Sequence, residues 1–386
     1  MLKLNTPQKG KIGILLPRSS IFTQANQHLT EGLQLYFTLH CPELTEDNCA
    51  LVIEDIANAT IKTVRDKAEK LLLSDRVKVL AGVMSFEVAL SIVPLLEKTE
   101  TMLVLLVAGG HSKPDQLQSR FIHTISLQTW QSNYCLGRHA AEHFGSIAFF
   151  SSLYDSGFDH NNAFASGFQE KEPMTSPLFM TVSHIQSDKE DFGRVLAQAP
   201  EGKYEAVVGS YLQELALSFL QIPRKEPLLL SPLSLPWQLA GFESLPAREL
   251  TIAGTWPWHA PEVFATFAAQ AEQYLSKTAD YWHLLGYEGA QLISQLFTLA
   301  HLEKADSAAQ LLHIQQCNLQ TPRGTLLYDS SNNHFGSEMA INHLRIADGN
   351  ITLLEREVCT MPVSEPPAIH HLRNTEKSAW LQPYGF

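Results

Sequence analysis

The sequence lacks any apolar run approaching the roughly 20 residues that a membrane-spanning helix needs, so we expect no membrane insertion. It also has no block of Lys and Arg of nucleic-acid-binding size. With a net charge of −12, a nucleic acid partner is not expected. Residues 1–13 contain no apolar signal-peptide core. This leaves open a cytoplasmic protein and a periplasmic or extracellular one whose leader has been removed.

Several short motifs of enzymes and cofactor sites are missing. The chain has no G-x-G-x-x-G, no G-x-x-x-x-G-K-[ST] and no G-x-S-x-G, so we expect no dinucleotide, no P-loop nucleotide and no nucleophile elbow. None of the five Cys residues forms a C-x-x-C, which disfavours a zinc ribbon or a thioredoxin site. Cys41 and Cys49 flank an acidic turn, and their spacing allows either a local disulfide or two free thiols.

The segment HAAEH (139–143) matches the inverted zinc-protease pattern H-x-x-E-H, which would put His139 and His143 on one helical face. No downstream Glu ligand is evident, and the SIAFFSS that follows is typical of a strand in an α/β unit. Two exposed histidines on a surface helix explain the pattern better. A metallohydrolase is therefore the least favoured function, and we expect no metal and no cofactor.

Strand-like apolar runs alternate with helical periods along most of the chain. The first strands are predicted at 11–16, 50–55, 77–82 and 101–109, and the first helices at 30–40, 63–74 and 86–99. The pattern restarts after residue 125. Alternation of this kind indicates parallel sheets with crossover helices, here as two successive units of about 110–130 residues.

One strand-to-helix junction, VKVLAGVMSFEVALS (77–91), offers a site for a small ligand. Gly82 ends the strand, and Ser85 is placed to cap the helix that follows. The exposed N–H groups and the dipole of a helix N-terminus favour a carboxylate. A plain capping Ser without a ligand is equally consistent. Trp256, Trp258 and Trp282 lie near expected lobe joints, where aromatics pack in a core or line a cleft.

The order of these segments resembles the type I periplasmic binding proteins, in particular their leucine/isoleucine/valine-binding branch. KIGILLP followed by LTEGLQLYF is similar to the family's first strand, loop and helix. GSIAFFSSLYDSGFDHNNAFASGFQE resembles the opening of its second lobe, and PRGTLLYDSSNNHFG its late hairpin. The resemblance extends to about residue 355. It implies two Rossmann-like lobes with parallel sheets, joined by three crossover strands near Ile125, Thr255 and Tyr328.

The implied first lobe is 1–125 plus 256–328, the second is 126–255 plus 329–359, and 360–386 is a C-terminal extension. The resemblance also implies which residues contact the ligand: Ser85, Phe86 through its backbone N–H, Gly110 through its carbonyl, Ser112, Ser156, Phe158, Tyr211 and Trp282, the last at an aromatic lid position. Ligands of such folds lie at the carboxyl ends of the strands.

One position departs from the family. An acid that pairs with the ligand ammonium is expected after the strand LLLSP, and Leu233 stands there. A buried ammonium without a carboxylate is costly, so a free amino acid would need another acid, such as Asp155. A carboxylate or amide without an ammonium, including an aromatic one, fits as well. The resemblance implies a solute-binding protein that serves an ABC permease and is not an enzyme; a ligand-sensing domain of the same fold is the alternative.

Overall fold

The computed structural model describes residues 9–18, 24–44, 48–109, 119–152, 157–171, 177–182, 189–211, 213–234, 245–258 and 260–359. Its strands form two sheets, one in each of two α/β lobes. We call the lobe of the first sheet the first lobe and the other the second lobe.

The first lobe has an eight-stranded sheet. Its strands are β1 (Gly10–Leu16), β2 (Cys49–Asp55), β3 (Val79–Gly82), β4 (Leu103–Val107), β5 (Ile122–Ser126), β11 (Leu319–Thr321), β12 (Gly324–Asp329) and β13 (His334–Gly336). They lie in the order β11-β12-β13-β5-β4-β3-β1-β2. The pairs among β1–β5 are parallel, and so is β13 with β5, whereas β11, β12 and β13 pair antiparallel. All five residues of β4 are buried, as a strand covered on both faces requires.

The helices of this lobe cover both faces of the sheet. They are α1 (Ala25–His40), α2 (Ile61–Glu69), α3 (Phe86–Leu90), α4 (Val93–Thr99), α9 (Pro261–Leu275), α10 (Tyr281–Phe297) and α11 (Ser307–Gln316). The prediction of a single helix over 86–99 is wrong, because two residues interrupt the helix between Leu90, where α3 ends, and Val93, where α4 begins. Pro94 in the first turn of α4 has no N–H to donate to Leu90, so one continuous helix cannot form there.

The second lobe has a seven-stranded sheet. Its strands are β6 (Ile147–Ser152), β7 (Leu178–Val182), β8 (Ala206–Ser210), β9 (Leu228–Leu230), β10 (Arg248–Gly254), β14 (Ala340–Ala347) and β15 (Asn350–Val358). They lie in the order β15-β14-β10-β9-β8-β6-β7, with β14 antiparallel to both of its neighbours. Its helices are α5 (Thr129–His143), α6 (Gly157–Lys171), α7 (Lys189–Gln198) and α8 (Gln213–Leu220).

The chain passes between the two sheets three times: after β5, after β10 and after β13. The first two passages fall close to Ile125 and Thr255, as expected. The third was expected near Tyr328, which instead lies inside β12. The next strand, β13, returns to the first sheet and pairs Phe335 with Ile125. The third passage therefore lies between Gly336 and Ala340, because a hairpin keeps residues 329–336 in the first sheet.

Glycines let α1 and α10 approach closely in the first lobe. A Cβ atom on Gly32 would lie 2.0 Å from the carbonyl oxygen of His283, and one on Gly286 would lie 2.1 Å from that of Leu29. Atoms at such distances would overlap. The two helices can therefore approach this closely only because each has a glycine, which has no side chain, at the point of contact. The contact joins a helix near the start of the chain to one near its end.

The second lobe repeats this packing with α5 and α6. A Cβ atom on Gly137 would lie 2.1 Å from the carbonyl oxygen of Phe164, and one on Gly167 would lie 2.0 Å from that of Tyr134. The two lobes thus share a helix pair built on two reciprocal glycines. In each lobe this pair fixes a helix that packs against the sheet.

Candidate functional site

The strand order reverses at one point in each sheet. Strand β1 pairs with β2 on one side and β3 on the other, and β6 likewise pairs with β7 and β8. Loops leaving the carboxyl ends of strands at such a point diverge and leave a crevice for a ligand. The loops after β3 and β8 carry Ser85 and Tyr211, whose contact with a ligand stays a prediction.

The loop after β3 has the form that the sequence predicts. Ser85 is extended and caps α3, its Oγ accepting a hydrogen bond from the N–H of Val88 at 3.4 Å. Ser85 and Phe86 are both half-buried, and the ring of Phe86 packs against the core of the first lobe. Contact of either residue with a ligand stays a prediction.

Tyr211 lies directly after β8, as predicted, but its ring is directed into the second lobe. It is 1% exposed and its ring centroid lies 5.1 Å from that of Phe219. Its backbone N–H donates to Oγ of Ser234 at 3.0 Å, which joins the ends of β8 and β9. The residue therefore has a packing role, and its contact with a ligand stays a prediction.

Other predicted site residues lie outside the described residues: Gly110, Ser112, Asp155 and Ser156. Phe158 lies in the first turn of α6, where the backbone is described. Leu233 lies in a short 3-10 turn after β9. The described residues of this turn, 231–234, are Ser-Pro-Leu-Ser and include no carboxylate.

Two tryptophans lie where the second passage leaves β10. Trp256 is 6% exposed, stacks on Tyr281 with ring centroids 5.5 Å apart, and donates from Nε1 to the carbonyl oxygen of Pro232 at 3.3 Å. Trp258 is half-buried and packs against the cores of both lobes. Its Nε1 is buried without a hydrogen-bond partner among the residues that the structure describes. Sequence reasoning noted this Trp-Pro-Trp only as aromatic, since nothing local separates a core ring from a cleft ring.

Asp280 caps α10, the helix that positions Trp282. Its Oδ1 accepts hydrogen bonds from the backbone N–H of Trp282 and of His283, both at 3.0 Å. Trp282 is 7% exposed and belongs to the core of the first lobe. The cap therefore fixes the first turn of α10, whereas a lid that covers a ligand with Trp282 stays a prediction.

A polar cluster surrounds this cap. Asp280 bonds to Nδ1 of His28 at 2.5 Å and to Nδ1 of His283 at 2.8 Å, and Nε2 of His283 lies 3.1 Å from a carboxylate oxygen of Glu31. Among the described residues, one group of three side chains has its potential metal-ligating atoms close enough together to share a metal ion. It consists of His28, Asp280 and His283. Hydrogen bonds among these three side chains, together with the helix cap, explain why the atoms lie so close together. The cluster joins the first turns of α1 and α10.

Both acids of the cluster have lowered pKa values. Burial alone would raise the pKa of Asp280, but bonds to His28 and His283 hold it well below its usual range. Burial would likewise raise the pKa of Glu31, but hydrogen bonds from Lys277, Gln27 and His283 lower it to about 2. Both carboxylates are therefore charged at neutral pH and stabilise the helix junction.

Glu31→Gln is expected to remove an acid-sensitive part of the stability. The pKa of Glu31 falls from 4.5 to about 2 on folding, so its contribution is complete above pH 4.5 and is lost as the pH falls to 2. The variant should be less stable by about 3 kcal/mol at pH 7, and wild type and variant should converge near pH 2. Urea unfolding at a series of pH values measures this. Glu97→Gln, at an exposed position of α4, is the control; a gap that stays constant with pH would contradict the assignment.

A buried ion pair joins the passages between the lobes, and sequence reasoning missed it. The guanidinium of Arg323 bonds both carboxylate oxygens of Glu288, at 2.9 and 2.7 Å. It also donates to Oγ1 of Thr255 at 2.8 Å and to the carbonyl oxygen of Ser126 at 2.9 Å. Both charged side chains are 0% exposed. Ser126 ends β5 and Thr255 follows β10, so this pair holds the first two passages together.

Two further bonds tie the first passage to β13 and to the third passage that follows it. Oγ of Ser126 lies 2.7 Å from Nε2 of His334. The side-chain oxygen of Gln128 accepts from the backbone N–H of Ser337 at 2.8 Å. All three passages therefore meet in one hydrogen-bonded region.

His139 of the HAAEH segment is 6% exposed, so the expectation of two exposed histidines is wrong. Among the described residues, His139 and His143 belong to no group whose ligand atoms lie close enough to share a metal ion. His139 and His143 do share a face of α5, with ring centroids 4.2 Å apart. The carboxylate of Glu142, however, pairs with Lys171 at 3.1 Å. The two histidines line a cavity of about 560 Å³ at the amino ends of β8–β10. Burial and the neighbouring His143 and His343 lower the pKa of His139 to about 4.

No helix in the described part of the chain is long and apolar enough to cross a membrane.

Comparison with known proteins agrees with this architecture. The family model described as periplasmic binding protein matches residues 9–350. The Leu/Ile/Val-binding protein homolog 6 of Brucella suis is 21% identical over 376 residues, with 93% of each chain covered. A solute-binding protein of an ABC transporter from Rhodopseudomonas palustris, solved with 3,4-dihydroxybenzoic acid, is 18% identical with a TM-score of 0.71, covering 91% of this chain and 97% of that one.

A substrate-binding protein of a branched-chain amino acid transporter from Streptococcus pneumoniae, solved with isoleucine, has a TM-score of 0.63 at 13% identity, covering 91% of this chain and 99% of that one. Similarity at these identities supports the same fold of two lobes with mostly parallel sheets. The family match spans most of the sequence, including the three passages and every strand of the two sheets except β15. The chain belongs to the periplasmic binding protein family.

Proposed function

We propose that this protein captures a small aromatic carboxylate between its lobes and delivers it, in the periplasm, to an ABC permease, without catalysis. The observation that carries the proposal is Trp258. Its ring packs against the cores of both lobes, and its buried Nε1 has no acceptor among the described residues. A buried N–H of this kind costs free energy unless it finds an acceptor, and a ligand oxygen in the cleft would supply one.

The turn after β9 supports a ligand without an ammonium group. Leu233 stands where the family resemblance places an acid, and the described turn 231–234 offers no carboxylate in its place. A ring with a single carboxylate requires no such partner. The relative from Rhodopseudomonas palustris was solved with a compound of this class, 3,4-dihydroxybenzoic acid.

Roles for the remaining site residues follow from this ligand. The loops after β3 and β4 would bind the carboxylate through Ser85, the N–H of Phe86, Gly110 and Ser112. The ring would lie against Trp258 and Trp282. The proposed contacts from the second lobe are Ser156, Phe158 and Tyr211. The division of lobes would follow the sheets, with the third boundary between Gly336 and Ala340.

A thermal-shift panel tests the ligand class. Benzoate, 4-hydroxybenzoate and 3,4-dihydroxybenzoate are compared with Leu, Ile and Val. An aromatic acid at 100 times its Kd should add about 2.7 kcal/mol, which raises the Tm by a few degrees. Shifts with Leu, Ile or Val alone would refute the aromatic ligand while leaving a solute-binding role. A response of neither class would refute both.

Trp258→Phe is expected to weaken binding of the aromatic acid about tenfold. The variant keeps an aromatic ring but loses the N–H that we propose donates to the ligand, and one such bond contributes about 1 kcal/mol or more. Titration calorimetry measures the Kd. Tyr274→Phe, at a residue 50% exposed on α9, should leave the Kd unchanged. Equal affinities of Trp258→Phe and wild type would remove Trp258 from the site.

A further inference from the structure

Two cysteines distant in sequence have their thiols in contact in the second lobe. Cys135 is buried in α5, and Cys359, which is half-buried, directly follows β15. The side chains of the two residues form a hydrogen bond. Neither residue forms a disulfide in the structure. Neither residue belongs to the ligand cleft proposed above or to the ion pair at the hinge.

The backbone around both cysteines is held in place. The N–H of Cys359 donates to the carbonyl oxygen of Met339 at 2.8 Å. On the side of α5, Oγ of Ser132 donates to Sδ of the same Met339 at 3.2 Å. Cys135, Met339 and Ile341 form part of one apolar cluster, and Cys359 packs against it. Three elements therefore fix the thiol contact, so it does not depend on one mobile side chain.

The hydrogen bond shifts the acidity of the two thiols in opposite directions. The hydrogen bond from Cys135 lowers the pKa of Cys359, although burial opposes this. The same hydrogen bond, and then burial, raise the pKa of Cys135. The thiolate forms first on the more accessible residue, and the thiolate is the attacking species.

We propose that Cys135 and Cys359 form a disulfide when the protein meets an organic disulfide as oxidant. The thiolate of Cys359 attacks one sulfur of the oxidant, which forms a mixed disulfide and releases one thiol. Cys135 then loses its proton and attacks the Cys359 sulfur, which releases the second thiol. The two cysteines lose two electrons and two protons, and the oxidant is reduced to two thiols.

The bond would tie the end of the last described strand to α5 and close a long loop of chain. Cross-links over long loops remove much conformational freedom from the unfolded state. The family's periplasmic setting is the kind of oxidising compartment in which disulfides persist. The bond joins elements of one lobe, so it leaves the passages between the lobes unconstrained.

The full-length protein, purified with reductant and then freed of it, is incubated with oxidised glutathione. Thiol titration after unfolding should give five thiols per chain before oxidation and three afterwards. Mapping of peptides without reductant should find the peptide of Cys135 joined to that of Cys359. The oxidised protein should melt about 5 °C higher than the reduced protein.

Variants separate this pair from the other cysteines. Cys359→Ser and Cys135→Ser should each abolish the linked peptide and the rise in Tm. A Cys41→Ser/Cys49→Ser variant should retain both, since burial raises the pKa of Cys49 to about 11 and both thiols of that pair are free. Five thiols after oxidation, a linked Cys41–Cys49 peptide alone, or a glutathione adduct that persists on Cys359 would each overturn the proposal.

Discussion

Glu288→Gln is expected to lower the free energy of unfolding by about 3–5 kcal/mol. The substitution keeps the size of the side chain but removes the negative charge that faces Arg323. The guanidinium would remain charged at a site where its side chain is 0% exposed. Denaturant unfolding followed by tryptophan fluorescence measures the change. The loss should appear as a lower midpoint.

Two further variants test whether burial is the cause. Glu249→Gln breaks the ion pair with Arg345, whose side chains are 60% and 55% exposed, and should cost less than about 1 kcal/mol. A combined Glu288→Leu/Arg323→Met variant removes both buried charges and should be more stable than Glu288→Gln. If Glu288→Gln unfolds at the wild-type midpoint, the pair does not hold the passages together.

Gly32→Ala is expected to destabilise the first lobe by about 3 kcal/mol. The added methyl group would overlap the carbonyl oxygen of His283, which is backbone and cannot rotate away. Helices α1 and α10 would have to separate, which disrupts the apolar contacts between them. Gly286→Ala should cost a similar amount, since its methyl group would meet the carbonyl oxygen of Leu29. Thermal and denaturant unfolding report both losses.

Gly145→Ala is the matched control for this pair. Its new methyl group would lie 3.3 Å from a carboxylate oxygen of Glu205, the flexible end of an exposed side chain. We expect a change below about 1 kcal/mol. Equal stabilities of Gly32→Ala and Gly145→Ala would mean that α1 and α10 separate at no cost, contrary to the packing seen.

Much of the architecture is predictable because its causes are local. Buried parallel strands such as β4 are continuous apolar runs, and the alternation with helices is visible without any tertiary information. Ser85 caps α3 as its position after Gly82 predicts, because capping depends on a few neighbouring residues. The break before Pro94 has the same local character, and the apolar pattern across 86–99 concealed it.

The features that the sequence did not reveal involve residues far apart along the chain. In the sequence, Arg323 looks like an ordinary turn residue and Glu288 like an ordinary helix residue. Only the fold brings them together as a buried ion pair. The third passage was misplaced since a hairpin can belong to either sheet until its partner strand is known. The contact between Cys135 and Cys359 likewise has no local signal.

The candidate site was predictable in part. Strand ends at a reversal of strand order are topological features, so Ser85 and Tyr211 are found at the expected loops. The order of the strands does not determine the direction in which an aromatic ring points. Tyr211 packs inward against Phe219, while Trp258 has a buried N–H without a partner among the described residues, on which its proposed role rests. That difference arises from packing between elements, which no residue pattern encodes.

The glycine-paired helices also bear on how the chain is synthesised. The contacts between α5 and α6 are local, with Tyr134 bonded to Glu170 only 36 positions away, whereas His28 and Asp280 are 252 positions apart. At about 5–20 residues per second, α10 leaves the ribosome about 10–50 s after α1. During that interval the glycine face of α1 has no partner and exposes apolar surface. The first lobe begins the chain but is complete only after α10 and β11–β13 have been synthesised, so the nascent N-terminal half is the part that a chaperone would need to shield.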